Sequence, residues 1–595
     1  MNTDVITRQR SFGATLLGPK RTNFRFWAPD CKTVSVEFED GAPVSMHPVG
    51  DGWFEAEATC GVGTVYRYRI SNDLAVPDPA ADAQSDDAHG GSVVIDHAAY
   101  HWKHADWAGR PWHEAVIYEL HVGTFGGFKG VTAQLPHLAR LGVSVIELMP
   151  VADFPGKRNW GYDGVLIYAP DTSYGTPDDL KELVDTAHGL GLMMMLDVVY
   201  NHFGPDGNYL GAYASDFYRH DRTTPWGDAL DFRREPVRRF FIENALSWLV
   251  EFQFDGLRFD AVHAIADAEF LHTLSHEIRA GVDPGRHIHL VLENEENEAF
   301  LLRPDGDQPG YDAQWADDLH HCVHVLLTGE TEAYYEDYAD HPAEHLARCL
   351  QDGFAFQGEI RKHSGLRRGS PSGHLPPTSF VICLQNHDQI GNRPFGERLT
   401  VLADPDALRA ATVLLLLGPQ IPLVFMGQEW ATPAPFLYFA SHHEELAAAV
   451  RIGRTEEFAR FSMFNDPAHR NAIPDPNHPD SYKRSTPDLA ETEIPKHAEW
   501  VEFHRTLLSI RKAEIMPRLE GARSIEALAL DPHSVRASWR MGDGSTLTMA
   551  VNFGTERTLC PALAGRVLFA SRPRSSPDSL EPRSAEVTLQ DAADA

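Results

Sequence analysis

Two hydrophobic rhythms divide the chain. Up to about residue 105, apolar and polar positions alternate, as in Phe24-Arg25-Phe26-Trp27, Val34-Ser35-Val36-Glu37-Phe38 and Val65-Tyr66-Arg67-Tyr68-Arg69-Ile70. A period of two marks half-buried strands. Pro29, Gly41, Asp51-Gly52 and Gly61 punctuate them as turns. Short strands at this spacing predict a small β-sandwich. Val76 to Gly91, with Pro77, Pro79 and many Ala and Asp, reads as an irregular connector.

From about residue 110 the rhythm becomes strand, then helix, repeatedly. Val116 to Val122 reads as a first strand, and the helix after it carries Leu135, Leu138, Ala139 and Leu141 before Gly142 stops it. Val143 to Val151 is a second strand and Leu192 to Val199 a third, nearly all apolar, as a strand buried on both faces should be. Between them Thr176-Pro177-Asp178-Asp179 starts a helix, with an N-cap, a proline at the first position and an acidic first turn. Pro236 to Phe252 is amphipathic and leads into a fourth strand within Phe254 to His263. Ile288 to Glu293, Tyr311 to Asp317, Ser379 to His387 and Ile421 to Glu429 follow as the fifth to eighth. Alternation sustained this long implies parallel strands with right-handed crossovers, and eight of them predict an α/β fold, a closed (β/α)8 TIM barrel. The intervals from Phe203 to Arg234 and from Ala431 to Pro495 read as loops at the catalytic face.

Ala498 to Glu514 reads as the last long helix, and Gly542-Asp543-Gly544 between two alternating runs signals a hairpin. The chain thus divides into an N-terminal β-sandwich (1–105), a catalytic barrel (106–517) and a C-terminal β domain (518–595). The Pro- and Ser-rich stretch from Ser571 is expected to be partly disordered.

Composition narrows the function classes. At 595 residues the chain exceeds one core, and roughly two to four domains are expected. A formal charge of −33 argues against a nucleic-acid partner, because phosphate binding needs an excess of Lys and Arg. The six cysteines are scattered with no CxxC, which fits reduced thiols in a cytoplasm and neither a disulfide framework nor a zinc site. No signal peptide is visible in MNTDVITRQRSFG, and no apolar run approaches a membrane span. No GxGxxG follows the first strand, which weighs against a dinucleotide cofactor.

The chemistry gathers at the strand ends. Arg258 and Asp260 stand two residues apart on one strand and point to the same face. A structural Arg–Asp pair gives the same pattern, but so does a carboxylate kept ionised for nucleophilic attack. Strand three ends in Asp197 to His202, strand five in Glu293-Asn294 and strand seven in Gln385 to Gln389. Four such endings on one barrel rim converge on one pocket. Glycoside cleavage needs a carboxylate and a carboxylic acid flanking the scissile bond, about 5–5.5 Å apart in a retaining enzyme. Asp260 fits the nucleophile. Glu293 fits the acid/base, with Glu295 and Glu296 as neighbours whose like charge would raise its pKa.

Four segments, DVVYNH (197–202), GLRFDAVH (256–263), HLVLEN (289–294) and LQNHDQ (384–389), occur in that order. They resemble the four sequence regions of the α-amylase superfamily of glycosidases. The resemblance implies that Asp260 is the nucleophile, Glu293 the acid/base and Asp388 a third carboxylate gripping sugar hydroxyls. It places His202, Arg258, His263, His387 and Gln389 around the same sugar, with Tyr162 of NWGYDG stacking at the cleavage point. FPGKRNWGYDGV (154–165), YDAQWADDLHH (311–321), FMGQEW (425–430), PFLYF (435–439) and ELAAAVRIGRTEEF (445–458) are similar to the maltooligosyltrehalose trehalohydrolase family. That likeness implies hydrolysis of the α-1,4 bond next to a terminal trehalose, with a maltooligosyltrehalose synthase as functional partner and no essential metal or cofactor. A glycogen branching enzyme is the nearest alternative, and a catalytically dead carbohydrate-binding protein a more distant one. Two departures stand out: Leu292 occupies a position where the family pattern has Ala, and Ala440-Ser441-His442-His443 replaces a segment with an Asp–His pair. Trehalose recognition is expected in the segment carrying Trp315, as an aromatic platform, and Asp317; the alternative places Trp315 in the core, with Asp317 and Asp318 capping the next helix.

Overall fold

A computed structural model describes residues 10–265, 267–302, 310–458, 461 and 466–592. At the N-terminal end, Gly13–Gly18, Arg21–Trp27, Trp53–Ala58 and His47–Gly50 form one antiparallel sheet. Ser35–Phe38 and Val65–Arg69 anchor the second. The alternation turns Phe24, Phe26, Tyr66 and Tyr68 inward, where Phe26 stacks on Tyr68 with ring centroids 4.2 Å apart. The predicted sandwich is present.

The predicted connector is not a loose one. Asp78 lies buried and accepts the hydroxyls of Tyr66 at 2.7 Å and Tyr68 at 3.1 Å. Asp82 is ion-paired with Arg10 at 2.5 Å and with His97 at 3.2 Å, and Ser247 of the barrel donates to it at 3.4 Å. The segment is irregular because Pro and Ala form no period, yet Asp78 and Asp82 are buried by partners outside it.

Eight parallel strands close into a barrel: Ile117–Leu120, Val145–Leu148, Met193–Val198, Gly256–Phe259, His289–Leu292, Ala313–Trp315, Phe380–Cys383 and Ile421–Phe425. The last pairs with the first through Ile117 and Leu423. All eight predicted strands are found, each shorter than its apolar run. Inward-facing Ile117, Val145, Met195, Val291, Val381 and Leu423 form a dry lower layer. Two residues further along, the inward positions of the first five strands turn polar: Glu119, Glu147, Asp197, Arg258 and Glu293. The site therefore sits on an apolar plug at the carboxyl ends of the strands.

Local signals in the helices hold. Thr176 and Asp179 close a reciprocal capping box at 3.1 and 3.0 Å, with Pro177 in the first position. Gly142 ends the first helix at φ 106°, which a side chain would resist. The expected loop from Ala431 to Pro495 instead carries helices Glu444–Phe458, Pro467–Asn471 and Pro479–Ser485. That from Phe203 to Arg234 carries a hairpin, Tyr218–Thr224 with Gly227–Leu230.

The final sheet runs Arg523–Asp531, Ser534–Arg540, Thr546–Asn552, Ser584–Gln590 and Arg566–Ala570. The expectation of disorder after Ser571 is overturned. Ser584–Gln590 is an inner strand, with Ala585, Val587 and Leu589 buried. The Pro- and Ser-rich composition belongs to the turns before it.

Candidate active site

Arg258 is the hub of the site. Its side chain is wholly buried. Nη1 donates to Asp260 Oδ1 at 2.8 Å and to both oxygens of Asp197 at 2.8 and 2.9 Å. Nη2 stands 3.0 Å from Glu293 Oε2. One guanidinium thus lies against both expected catalytic carboxylates. Asn201 fixes Asp260 from the other side, donating to its carboxylate at 2.7 Å and to its carbonyl at 2.8 Å. The backbone amide of Ala261, at φ 40°, donates to Glu293 Oε2 at 2.8 Å.

Burial pushes Glu293 well above the usual carboxyl range. Arg258 opposes this, while the charges of Asp260, Asp388 and Asp317 add to it. The like charge comes from these three and not from Glu295 and Glu296 as expected. Glu295 turns away to Arg361 at 2.8 Å.

A second chain of contacts runs beside this cluster. His387 is buried between Glu119, which meets its Nδ1, and Tyr162, whose hydroxyl accepts from Nε2 at 2.8 Å. Tyr162 donates onward to Asp197 at 2.6 Å. Burial would lower the His387 pKa, but Asp388 and Glu119 outweigh it and hold the ring protonated well above its usual range. Burial likewise raises Asp388, but His387, Arg258 and Asn392 reverse the direction and keep it ionised. Asp197 is pushed up to about 6 by burial, against the pull of Arg258. His202 donates to or accepts from Asn201, reaches the Tyr162 carbonyl at 3.0 Å and stacks on Trp226. Burial lowers the pKa of both His202 and His263.

A cleft of about 760 Å³ opens above this layer. His263, Glu293, Asp317, Asp388 and Gln389 line it. Asp260, Arg258, Tyr162, His202 and His387 lie beneath or beside it. Trp315 is corrected: it is 4% exposed, belongs to the apolar plug, and lies under Arg258 with the guanidinium 4.2 Å from its ring. Ala313 and Trp315 share the inward face one layer below Asp317, so the indole cannot serve as an open platform. Of the same segment, Gln314 is buried on Asn294 and Asn297, and Asp318 on Arg368 at 3.0 Å. Asp317 and His321 reach the cleft, and burial raises the pKa of Asp317 to about 7.

Several cleft residues carry no sequence signal. Glu330 is held by Arg393 at 2.7 and 3.0 Å and by His324 at 2.8 Å, and Tyr335 stacks on His324 at 4.1 Å. Tyr338, Arg361 and Arg368 join this wall. Glu119 did carry a signal, a charge inside an apolar strand. Leu292 faces outward into the main core, so that departure leaves the site untouched. His442 stands 3.6 Å from Asp163, which places the departing loop behind Tyr162 and outside the cleft lining. Among the described residues no group of three or more His, Cys, Asp or Glu is arranged to hold a metal ion.

An eight-stranded barrel with three carboxylates and a buried Arg at its rim is the architecture of an α-amylase-type glycosidase. Residues 100–221 match the family described as "Alpha amylase, catalytic domain", and residues 522–587 one described as "Domain of unknown function (DUF3459)". A malto-oligosyltrehalose trehalohydrolase of Deinococcus radiodurans is 41% identical over 84% of this chain and 83% of its own. That of Mycobacterium tuberculosis is 34% identical over 94% and 97%. A crystal structure of an α-amylase-type protein from Salmonella typhimurium superposes with a TM-score of 0.93 at 43% identity, covering 98% of this chain and 100% of that one. The chain belongs to the malto-oligosyltrehalose trehalohydrolase family.

Proposed function

We propose that the protein hydrolyses the α-1,4-glucosidic bond adjacent to the terminal trehalose of malto-oligosyltrehalose and releases trehalose. The observation that carries this reading is Arg258 gripping Asp260 and Glu293 on its two amino groups. Asp260 attacks the anomeric carbon from one face. Glu293, kept protonated by burial, gives its proton to the departing oxygen of the trehalose unit. The covalent glycosyl-enzyme then meets water, which the Glu293 carboxylate deprotonates. Asp388, His387, Tyr162 and His202 hold the sugar undergoing cleavage, with His263 and Gln389 at its edge. Asp317 and the wall of Glu330, Tyr335, Arg361, Arg368 and Arg393 receive the trehalose, because a site built to bond hydroxyls rejects a ligand that leaves its polar groups unpaired.

We further infer a cytoplasmic setting, supported by six free cysteines, and a functional partner that makes the substrate, a malto-oligosyltrehalose synthase. No described helix is long and apolar enough to cross a membrane. The test is product analysis on malto-oligosyltrehalose beside a plain maltooligosaccharide of equal length. Trehalose as the first small product of the former, with slow attack on the latter, is the expected result. Branched glucan in place of trehalose would make the protein a chain transferase.

A further inference from the structure

One buried acid of the barrel interior, Glu147, stands beside the catalytic layer and has no part in the mechanism above. Glu147 lies on the second barrel strand, paired in register with Glu119 on the first. It is 1% exposed, and among the described residues neither of its carboxyl oxygens has a hydrogen-bond partner. The groups facing it are Glu119 from the first strand, Asp197 from the third, Arg258 from the fourth and His387 from the loop after the seventh. Both facing cations are already engaged: His387 with Glu119, Tyr162 and Asp388, and Arg258 with Asp197, Asp260 and Glu293. A further anion in this layer would be buried and without a counter-charge, which proteins avoid by keeping the acid protonated.

We propose that Glu147 is a positioning residue for the glycosidase reading above: an acid whose lack of charge leaves the His387–Tyr162 chain aligned under the sugar. While Glu147 is neutral, Glu119 holds His387 without competition. When Glu147 ionises, a new anion appears beside Glu119 and Asp197. It draws the His387 imidazolium away from Tyr162 and Asp388 and repels Asp197. Glu147 touches neither the bond being broken nor the sugar. Its ionisation is therefore expected to weaken substrate binding on the alkaline side, separately from the loss of kcat as Glu293 gives up its proton.

The test compares wild type with Glu147→Gln, which keeps the shape and cannot ionise. In wild type, KM should rise on the order of fivefold across the alkaline range. In Glu147→Gln it should stay flat, while the alkaline fall of kcat remains. A protonated carboxylic acid should also give an infrared carbonyl band in wild type that disappears in Glu147→Gln. Thermal unfolding adds a readout without substrate. A folded-state pKa above the unfolded one makes wild type lose Tm as pH rises through it, and the variant should lack that loss. The proposal is overturned if the wild-type minus Glu147→Gln difference spectrum at neutral pH shows no carboxylic-acid band, or if KM rises alike in both proteins. If Glu147→Gln is unstable, Glu147→Met, which also cannot ionise, supplies the same difference spectrum and KM profile. Failure of wild type to release trehalose would defeat the functional reading and leave the band unaffected.

Discussion

The hydroxyl of Tyr162 stands 2.8 Å from Nε2 of His387, and their rings lie at 24° with centroids 5.1 Å apart. The two residues are 225 positions apart in sequence, and each steadies the other. Tyr162→Phe keeps the ring and removes the link to both His387 and Asp197. A lost bond to charged groups costs about 1.5–3 kcal/mol. We expect kcat/KM to fall by a corresponding factor on malto-oligosyltrehalose and on plain maltooligosaccharide alike, since the affected sugar is common to both. Kinetics on the two substrates check this, and a loss confined to one would remove Tyr162 from the shared position.

The shared grip of Arg258 predicts double displacement. NMR of the newly formed reducing end should register the α-anomer first. Asp260→Ala should abolish turnover on every substrate, because no covalent intermediate forms. Glu293→Gln should be nearly inactive on sugar leaving groups, yet still form the intermediate from an activated substrate and then stall. Mass spectrometry of the stalled protein would carry one glycosyl group; its absence would reassign the acid.

The raised Glu293 pKa fixes the direction of the pH profile. The first step needs the protonated form, so activity should persist above the pH at which an ordinary glutamate has ionised and decline on the alkaline side. Asp317 is one of the anions that push Glu293 up. Asp317→Asn removes that charge, so the alkaline limb of kcat should move to lower pH, by up to about one unit. A limb that moves upward would contradict the assignment.

Trp315 and Asp317 should part company under mutation. Trp315→Ala empties space beneath Arg258 and is expected to cost about 3–5 kcal/mol of stability, with activity on all substrates falling together. Asp317→Asn should leave Tm nearly unchanged and reduce kcat/KM for malto-oligosyltrehalose more than for the maltooligosaccharide, by about 1–3 kcal/mol. Calorimetry and paired kinetics separate the two. Equal losses for Asp317→Asn would move trehalose recognition to the Glu330–Arg393 wall.

Much of this was legible because a charge inside an apolar strand is costly and therefore informative. Arg258, Asp260, Glu293 and Asp197 announced themselves that way, and the period of two told which of them share a face. The same period, carried one step further, puts Trp315 a layer below Asp317 and inside the plug; counting aromatics near a carboxylate was the weaker guide. Glu295 illustrates another limit. Adjacency in sequence says nothing about direction once a strand has ended, and Arg361 claims it from a distant hairpin. The Glu330–Arg393 pair spans 63 positions and connects two segments with no rhythm of their own. The connector between sandwich and barrel was opaque for the same reason, since burial there is conferred entirely by distant partners.

That connector has a mechanical consequence. Arg10 binds Asp82 and Ser247 together, the amide of Ser11 donates to Glu243 at 2.9 Å, and Phe12 packs edge-on against Phe240 at 5.2 Å. The sandwich is thus riveted to the barrel across the seam, and residues 76–84 of the connector are buried. A protease searching for a hinge there meets a packed seam, and heat should meet one melting body where the layout of sheets would suggest two. The sandwich does not swing to fetch glucan like an arm; it stands as a fixed buttress against the barrel's outer helix Glu235–Leu246.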